Sequence, residues 1–288
     1  MTSASSLSAE RSAELESAIA RVARSVLAGA PKRLEEAVLY SLLGPGKRYR
    51  PRIVLAVGAA LEVPFEIGST LAAALEMTHA YTLIHDDLPA MDDDDIRRGR
   101  PTNHKIYGEG LAILAGDSLA LSGPETLLSL RNRIPADRVL DLVAEVLFVA
   151  GARGVIAGQA AEMDLKGLPS TNDVDSLYEV FRKKTGALFR AAVTLPAIAA
   201  GSDAKLIEVL RNQAENFGVA FQIADDLEDD FSAKKTDPTH VARYLSPEKA
   251  RSEATARLVL DESLPPKIRL ALAPFFDECR KKLDRSSA

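Results

Sequence analysis

The chain has 288 residues, 47% hydrophobic and 27% charged, with a formal net charge of −5 at pH 7. That is ordinary soluble composition, long enough for one large domain or two, and its acidic balance leaves nucleic acid without a basic footprint. The single cysteine, Cys279, excludes an intramolecular disulfide and suits a reducing, cytoplasmic setting.

Residues 1–12 are rich in Ser and Ala but lack the basic start and continuous apolar core of a signal peptide, so they are expected to form a flexible N-terminal segment. From there apolar residues recur at three and four. Segments 9–28 and 32–43 have this helical period, and Gly44-Pro45-Gly46 interrupts it. The apolar stretches 52–61 and 70–84 are broken by Gly, Glu, Thr and His, so neither reaches the roughly 18–20 unbroken residues that insertion in a membrane needs. Segment 66–85 reads as a helix that is apolar on nearly all sides over 70–85, which predicts a central position. After Gly99-Arg100-Pro101 come helices at 109–121, ended by Gly123-Pro124, and at 137–150, where Val139, Leu142, Val143, Val146 and Leu147 form one stripe. Beyond Gly167-Leu168-Pro169 the helical segments are 173–195, 203–230, 247–261 and 265–284, with another all-round apolar stretch at 187–200. Strand alternation is hard to find, and no composition break marks a domain boundary. The prediction is one all-α domain over 1–288, with ten or more helices on short links.

Two acidic clusters stand out. Six aspartates crowd between Asp86 and Asp95 in HDDLPAMDDDDIRRG, and QIADDLEDD runs from Gln222 to Asp230. So much like charge repels itself unless a cation sits there. An isolated Asp run is usually a solvated loop, but LIH before Asp86 and AFQI before Asp225 are apolar, which places both clusters at the ends of buried segments. Carboxylates without Cys or His partners favour Mg²⁺ or Mn²⁺, which complete their shells with water and phosphate oxygens. Asp225 and Asp229, four apart, share a helix face, and Asp226 is adjacent. Pro89 predicts a kink that brings Asp92 back beside Asp86 and Asp87. Asp93, Asp94 and Asp95 read as solvated or salt-bridged to neighbours.

Basic residues follow the acid. Arg97 and Arg98 come directly after the first run, Lys47, Arg48 and Arg50 sit in GPGKRYRP, and Lys183 and Lys184 precede Thr185-Gly186. Each pair alone reads as a surface pair. Beside two acidic clusters they read as clamps for two phosphorylated ligands, one on metal and one on bare Arg and Lys. His79, seven residues before Asp86, lies on about the same helix face, as a core histidine or as part of the site.

The motifs GPGKRYRP, HAYTLIHDDLPAMDDDDIRRGRPTNH, GDSL, GQAAEMDL, KKTGALF and AFQIADDLEDD occur in the order found in trans-isoprenyl diphosphate synthases, the polyprenyl synthetase family. The resemblance covers roughly 35–230 and is most like the bacterial farnesyl diphosphate synthase type. It implies an isoprenoid-synthase-type helical bundle around a central cavity, usually a homodimer. The implied reaction joins isopentenyl diphosphate head to tail to dimethylallyl or geranyl diphosphate, giving mainly farnesyl diphosphate, with a geranylgeranyl or geranyl diphosphate synthase as the alternative, and with three Mg²⁺ ions, for which Mn²⁺ can substitute. Asp86 and Asp92 resemble the ligands of two ions, with Asp87 alongside. Asp225 resembles the ligand of the third, supported by Asp226 and Asp229. Arg97 and Lys184 resemble contacts to the allylic diphosphate, and Lys47, Arg50, His79 and Arg98 the isopentenyl diphosphate pocket. Thr185 and Gln222 resemble groups facing the allylic cation, and Gln159 lines the same cavity. Tyr81, five residues before Asp86, resembles an aromatic floor that stops growth at fifteen carbons; the alternative is that it only packs in the core.

One segment departs from the family pattern. DFSAKKTDPTHVARYLSPEKAR, after the second cluster, is shorter than usual, and the loop lysine expected there has no secure counterpart beyond Lys234 or Lys235. A class I terpene cyclase, a non-catalytic partner subunit and a simple acidic metal module are the competing readings. The second Asp cluster argues against the first two, and the Arg and Lys sets against the third.

Overall fold

The computed structural model describes residues 9–167, 173–229, 231 and 233–285, so most of the predicted flexible N-terminal segment lies outside the described residues. The described chain is helical throughout, save for one hairpin of two-residue strands. In chain order it runs α1 (Ala9–Val26), α2 (Lys32–Leu42), α3 (Tyr49–Ala60), α4 (Phe65–Asp86), β1 (Ile96–Arg97), β2 (Arg100–Pro101), α5 (Asn103–Tyr107), α6 (Glu109–Leu128) and α7 (Ala136–Ala150). It continues with α8 (Val155–Gly167), α9 (Val174–Phe181), α10 (Ala187–Ala200), α11 (Ala204–Asp226), α12 (Pro247–Arg257) and α13 (Pro266–Arg285). The described residues cluster into two compact units, one within Leu7–Leu147 with Ile198–Gly201 and one within Phe148–Ala197 with Ser202–Ala288.

In the amino-terminal unit α4 is the central element. Leu71, Ala72, Ala73, Ala74, Leu75 and Met77 are all fully buried, so the helix hides every face, as its all-round apolar sequence predicts. α3 and α1 pack on it, and α6 lies along it. The close approach of α6 requires Gly123, where a Cβ would sit 2.5 Å from the Thr78 hydroxyl and 3.1 Å from the Ala74 carbonyl. This packing overrides a sequence signal. Gly123-Pro124 reads as a break, yet α6 carries Pro124 inside it and continues to Leu128. The hairpin pairs Ile96 with Pro101 and Arg97 with Arg100 around the left-handed Arg98 and Gly99. The Tyr40 hydroxyl donates to the Pro101 carbonyl (2.8 Å), and the Arg100 guanidinium stacks 4.1 Å over the Tyr40 ring, tying the hairpin to α2.

In the carboxy-terminal unit, helix starts are capped by sequence. The Asp173 carboxylate accepts from the Ser176 N–H (2.8 Å), the Asp203 carboxylate from Leu206 (2.8 Å) and the Ser246 hydroxyl from Lys249 (3.3 Å). An aromatic cluster joins three helices: Phe189 of α10 meets Phe217 and Phe221 of α11, and Phe276 of α13 lies 4.6 Å from Phe217. Segment 173–195 is not the continuous α-helix its periodicity suggests. A π-helical turn, Arg182–Gly186, interrupts it. This wide turn is held by glycine contacts on both sides. A Cβ at Gly158 of α8 would lie 2.5 Å from the Lys184 nitrogen, and one at Gly218 of α11 would overlap the Gly186 Cα. Among the described residues no helix is long and apolar enough to cross a membrane.

Candidate active site

The first acidic segment starts where α4 ends. Asp87 caps the helix, and the chain folds back through Leu88-Pro89-Ala90-Met91. Met91 donates its N–H to the Leu88 carbonyl (2.8 Å), Asp92 to the Asp86 carbonyl (2.9 Å) and Asp93 to the Leu88 carbonyl (3.1 Å). Six residues along a straight helix would carry Asp92 away from Asp86; this loop returns its backbone. Asp93 follows with φ +53, a conformation that costs a non-glycine residue strain. Asp86 is half-buried and Asp92 exposed. Asp87 is different: it is 4% exposed and ion-paired with Arg97. Burial pushes its carboxyl above the usual range, and Arg97 pulls the other way. Arg97 also donates to Asp94 (2.8 Å), and Lys105 lies 2.6 Å from Asp95. Asp93, Asp95 and buried His104 each place a ligand-type atom within 4.8 Å of the others.

The same unit carries a cationic cluster at the start of α3 and on α4. Arg48, in the left-handed region with φ +45, is fully engaged. It donates to Glu16 (2.8 and 3.1 Å), to buried Glu76 (2.8 Å) and to the Gly44 carbonyl (2.9 Å). Arg50 places Nη1 3.3 Å from His79 Nε2. Burial holds His79 well below the usual imidazole range, and the guanidiniums of Arg50, Arg98, Arg97 and Arg48 add to the effect. A neutral ring can therefore stand against Arg50. Burial brings Arg50 down to about 10, with Glu76 opposing and Arg98 reinforcing, so it stays charged at neutral pH. Arg98, at φ +54, donates to the Pro45 carbonyl (3.2 Å), which draws it toward the same pocket. Lys47 is exposed on the adjoining loop. Glu76, Ala80, Asp87, Arg97 and Arg98 all border one cavity of this unit. Tyr81 is 6% exposed on α4, with its ring edge against His85 at 5.9 Å. Burial, with Asp86 nearby, pushes its hydroxyl up to about 12.

The second acidic segment ends α11. Asp225 is half-buried and ion-paired with Lys282 of α13. Lys282 also lies 3.0 Å from Glu228. Asp226 is buried and held by the protein itself, accepting from the Gln222 amide (3.1 Å) and the Val241 N–H (2.9 Å). Burial raises its carboxyl to about 6 against those bonds. Asp229 is exposed, 3.8 Å from buried His240. The Thr185 hydroxyl, in the π-helical turn, donates to the Gln222 carbonyl oxygen at 3.1 Å. Thr185, Gln222 and Asp226 thus form one hydrogen-bonded chain. Lys184, in the same turn, lies 2.5 Å from Glu162 of α8, the helix that also carries Gln159. Lys234 pairs with Asp237 (3.7 Å), and Lys235 is exposed.

The chemistry of these donors fits a divalent metal: Asp86, Asp92 and Asp225 offer hard carboxylate oxygens, and the Asp225 carboxylate is paired with the Lys282 ammonium. Sequence reading missed four features. Arg48 is a buried frame bonded to Glu16 and Glu76, whereas its motif reads simply as basic. The π-helical turn has no periodicity signature, though KKTG with facing glycines marks it afterwards. The Asp93, Asp95 and His104 grouping joins residues on either side of the hairpin. Lys282, 57 residues from Asp225, has no local signal at all.

The family model described as Polyprenyl synthetase matches residues 31–242. The chain is 42% identical over 200 residues to a farnesyl diphosphate synthase of Geobacillus stearothermophilus, covering 69% of this chain and 67% of that protein. It is 39% identical over 227 residues to a geranylgeranyl diphosphate synthase of Cyanophora paradoxa, covering 79% and 75%. The crystal structure of a geranyltransferase from Legionella pneumophila superposes with a TM-score of 0.84 at 29% identity, covering 97% of this chain and 96% of that one.

Proposed function

The chain belongs to the polyprenyl synthetase family, and from that premise we propose that it condenses isopentenyl diphosphate head to tail with dimethylallyl or geranyl diphosphate, giving mainly farnesyl diphosphate. The observation that carries this reading is the cluster of Arg50, His79 and Arg98 in the amino-terminal unit, where Arg50 stands against a neutral His79 ring and Arg98 borders the cavity with Arg97. It offers a second diphosphate guanidinium donors beyond those paired to the acidic loop, which a cyclase with one diphosphate substrate would not need.

Asp86, Asp92 and Asp225 would hold the metals, with Asp229 in reserve and with Asp87 and Asp226, turned to protein partners, fixing the two frames. A divalent metal held there would supply charge neutralisation for the leaving diphosphate as the allylic carbon–oxygen bond breaks. Arg97 of the amino-terminal unit and Lys184 of the carboxy-terminal unit would each offer a fixed positive charge to an allylic diphosphate as its charge develops. Thr185 and Gln222, hydrogen-bonded to each other, would present oxygen lone pairs to the allylic cation, and buried apolar surroundings would exclude the water that quenches it. The isopentenyl double bond, its diphosphate held by Lys47, Arg50, His79 and Arg98, then attacks the cation carbon. The new carbon–carbon bond forms, and the proton lost from the isopentenyl unit passes to the departing diphosphate.

This division of labour is measurable. Arg50→Ala should raise the KM for isopentenyl diphosphate about tenfold or more, the ~1.5–3 kcal/mol worth of a charge-assisted hydrogen bond, and move the KM for the allylic primer little. Equal effects on both substrates would show that Arg50 serves no separate site.

A homodimer is the second part of the proposal. α6 exposes Leu114, Leu121 and Leu128 seven residues apart, with Ile113 beside them, and α7 exposes Leu140 and Leu147. A stripe of this kind suits a second copy of the chain. Leu121 is 70% exposed, so Leu121→Asp should leave the fold intact and convert dimer to monomer in light scattering after size exclusion. An unchanged mass would remove α6 from the interface. The buried, single Cys279 fits a reducing cytoplasm as the working compartment.

A further inference from the structure

The cation at the second acidic cluster belongs to the protein. Lys282 sits on the last turns of α13, whose Phe276 is packed on Phe217 of α11, so its position is set by a docked helix and not by a loose tail. Its ammonium is paired with the Asp225 carboxylate and lies 3.0 Å from Glu228 and 5.5 Å from the Phe221 ring centre. The side chain is only 21% exposed. One positive charge therefore already stands on the Asp225 carboxylate that a metal would need.

We propose that Lys282 is a tethered cation that holds the Asp225 position in the metal-free protein and must be displaced before a divalent ion binds there. This rests on the reading of Asp225 as a metal ligand. Two cations compete for one carboxylate and repel each other, so each weakens the other's binding by the same factor. The tether makes Lys282 a competitor at fixed, high local concentration. The lysine also keeps Asp225 and Glu228 from repelling each other while no metal is present. Metal occupancy at this cluster is in this way set against docking of the C-terminal helix end.

Mn²⁺ alone, with no prenyl substrate, is the probe, and the free ion is read by electron paramagnetic resonance. Lys282→Met keeps the apolar stem and removes the charge; it should tighten Mn²⁺ binding about tenfold, a usual size for coupling between two ligands. Lys282→Gln should act in the same direction and guards against a packing defect peculiar to one substitution. In an Asp225→Asn background, Lys282→Met should change Mn²⁺ affinity little, because the contested oxygen is altered. Unchanged or weaker Mn²⁺ binding in both lysine variants, while Asp225→Asn weakens it, would overturn the role of Lys282 alone. A lower Tm in chelator with unchanged Mn²⁺ affinity would make Lys282 a simple helix pin and overturn it as well. Mn²⁺ binding indifferent to Asp225→Asn in every background would overturn both the inference and the ligand assignment it rests on.

Discussion

Asp225→Ala is expected to lower turnover about a thousandfold or more while the helical content stays as in the parent chain. Several kcal/mol of metal-derived charge stabilisation is at stake in the ionisation step, and each ~1.4 kcal/mol is tenfold in rate. Asp86→Ala should do the same from the other acidic segment. The two differ in their side effects. Losing Asp225 removes a partner of Lys282, whereas the Asp86 backbone carbonyl still accepts from the Asp92 N–H, so the loop geometry of the first segment should persist. Circular dichroism separates unfolding from lost chemistry. Turnover within a few-fold of the parent in either variant would show that the carboxylates do not hold the catalytic metal.

Tyr81→Ala should move the product from fifteen carbons to twenty or longer. Tyr81 lies on α4 about a turn and a half before Asp86 and is buried with its ring edge on His85. A tail anchored by its diphosphate near Asp86 would run back along α4 and meet that ring. Removing it opens room for a further five-carbon unit. The same change deletes a buried aromatic side chain, so about 3 kcal/mol or more of stability is expected to go with it; assays belong well below the lowered Tm. Product length read by chromatography after dephosphorylation decides the matter. A variant that is less stable but still makes fifteen carbons would mean that Tyr81 only packs.

Much of the architecture was legible because helices dominate and their apolar period is strong. The all-round apolar segment 70–85 predicted a central helix, and α4 is one. Local signals failed where tertiary packing decided. Gly123-Pro124 has the sequence of a stop, but the glycine is what lets α6 lie against Thr78 and Ala74, and the helix runs through. The π-helical turn at Arg182–Gly186 depends on Gly158 and Gly218 from other helices, so no window of its own sequence could show it. At the site, the clustered aspartates were visible at once. Their division was not: only the structure turns Asp87 to Arg97, and Asp226 to Gln222 and the Val241 N–H. Arg48 and Arg50 sit two residues apart in one basic motif, yet one is a buried frame and the other lines the pocket with His79. Charge type is written in the sequence; which neighbour neutralises it comes from distant residues such as Glu76 and Lys282.

The most direct test of the central claim is to incubate the purified protein with labelled isopentenyl diphosphate and either dimethylallyl or geranyl diphosphate, with Mg²⁺ or with excess chelator, and to measure product length. The account predicts a mainly fifteen-carbon prenyl diphosphate from both primers, formed with Mg²⁺ and lost in chelator. No condensation with either primer, or condensation indifferent to chelator, would contradict it.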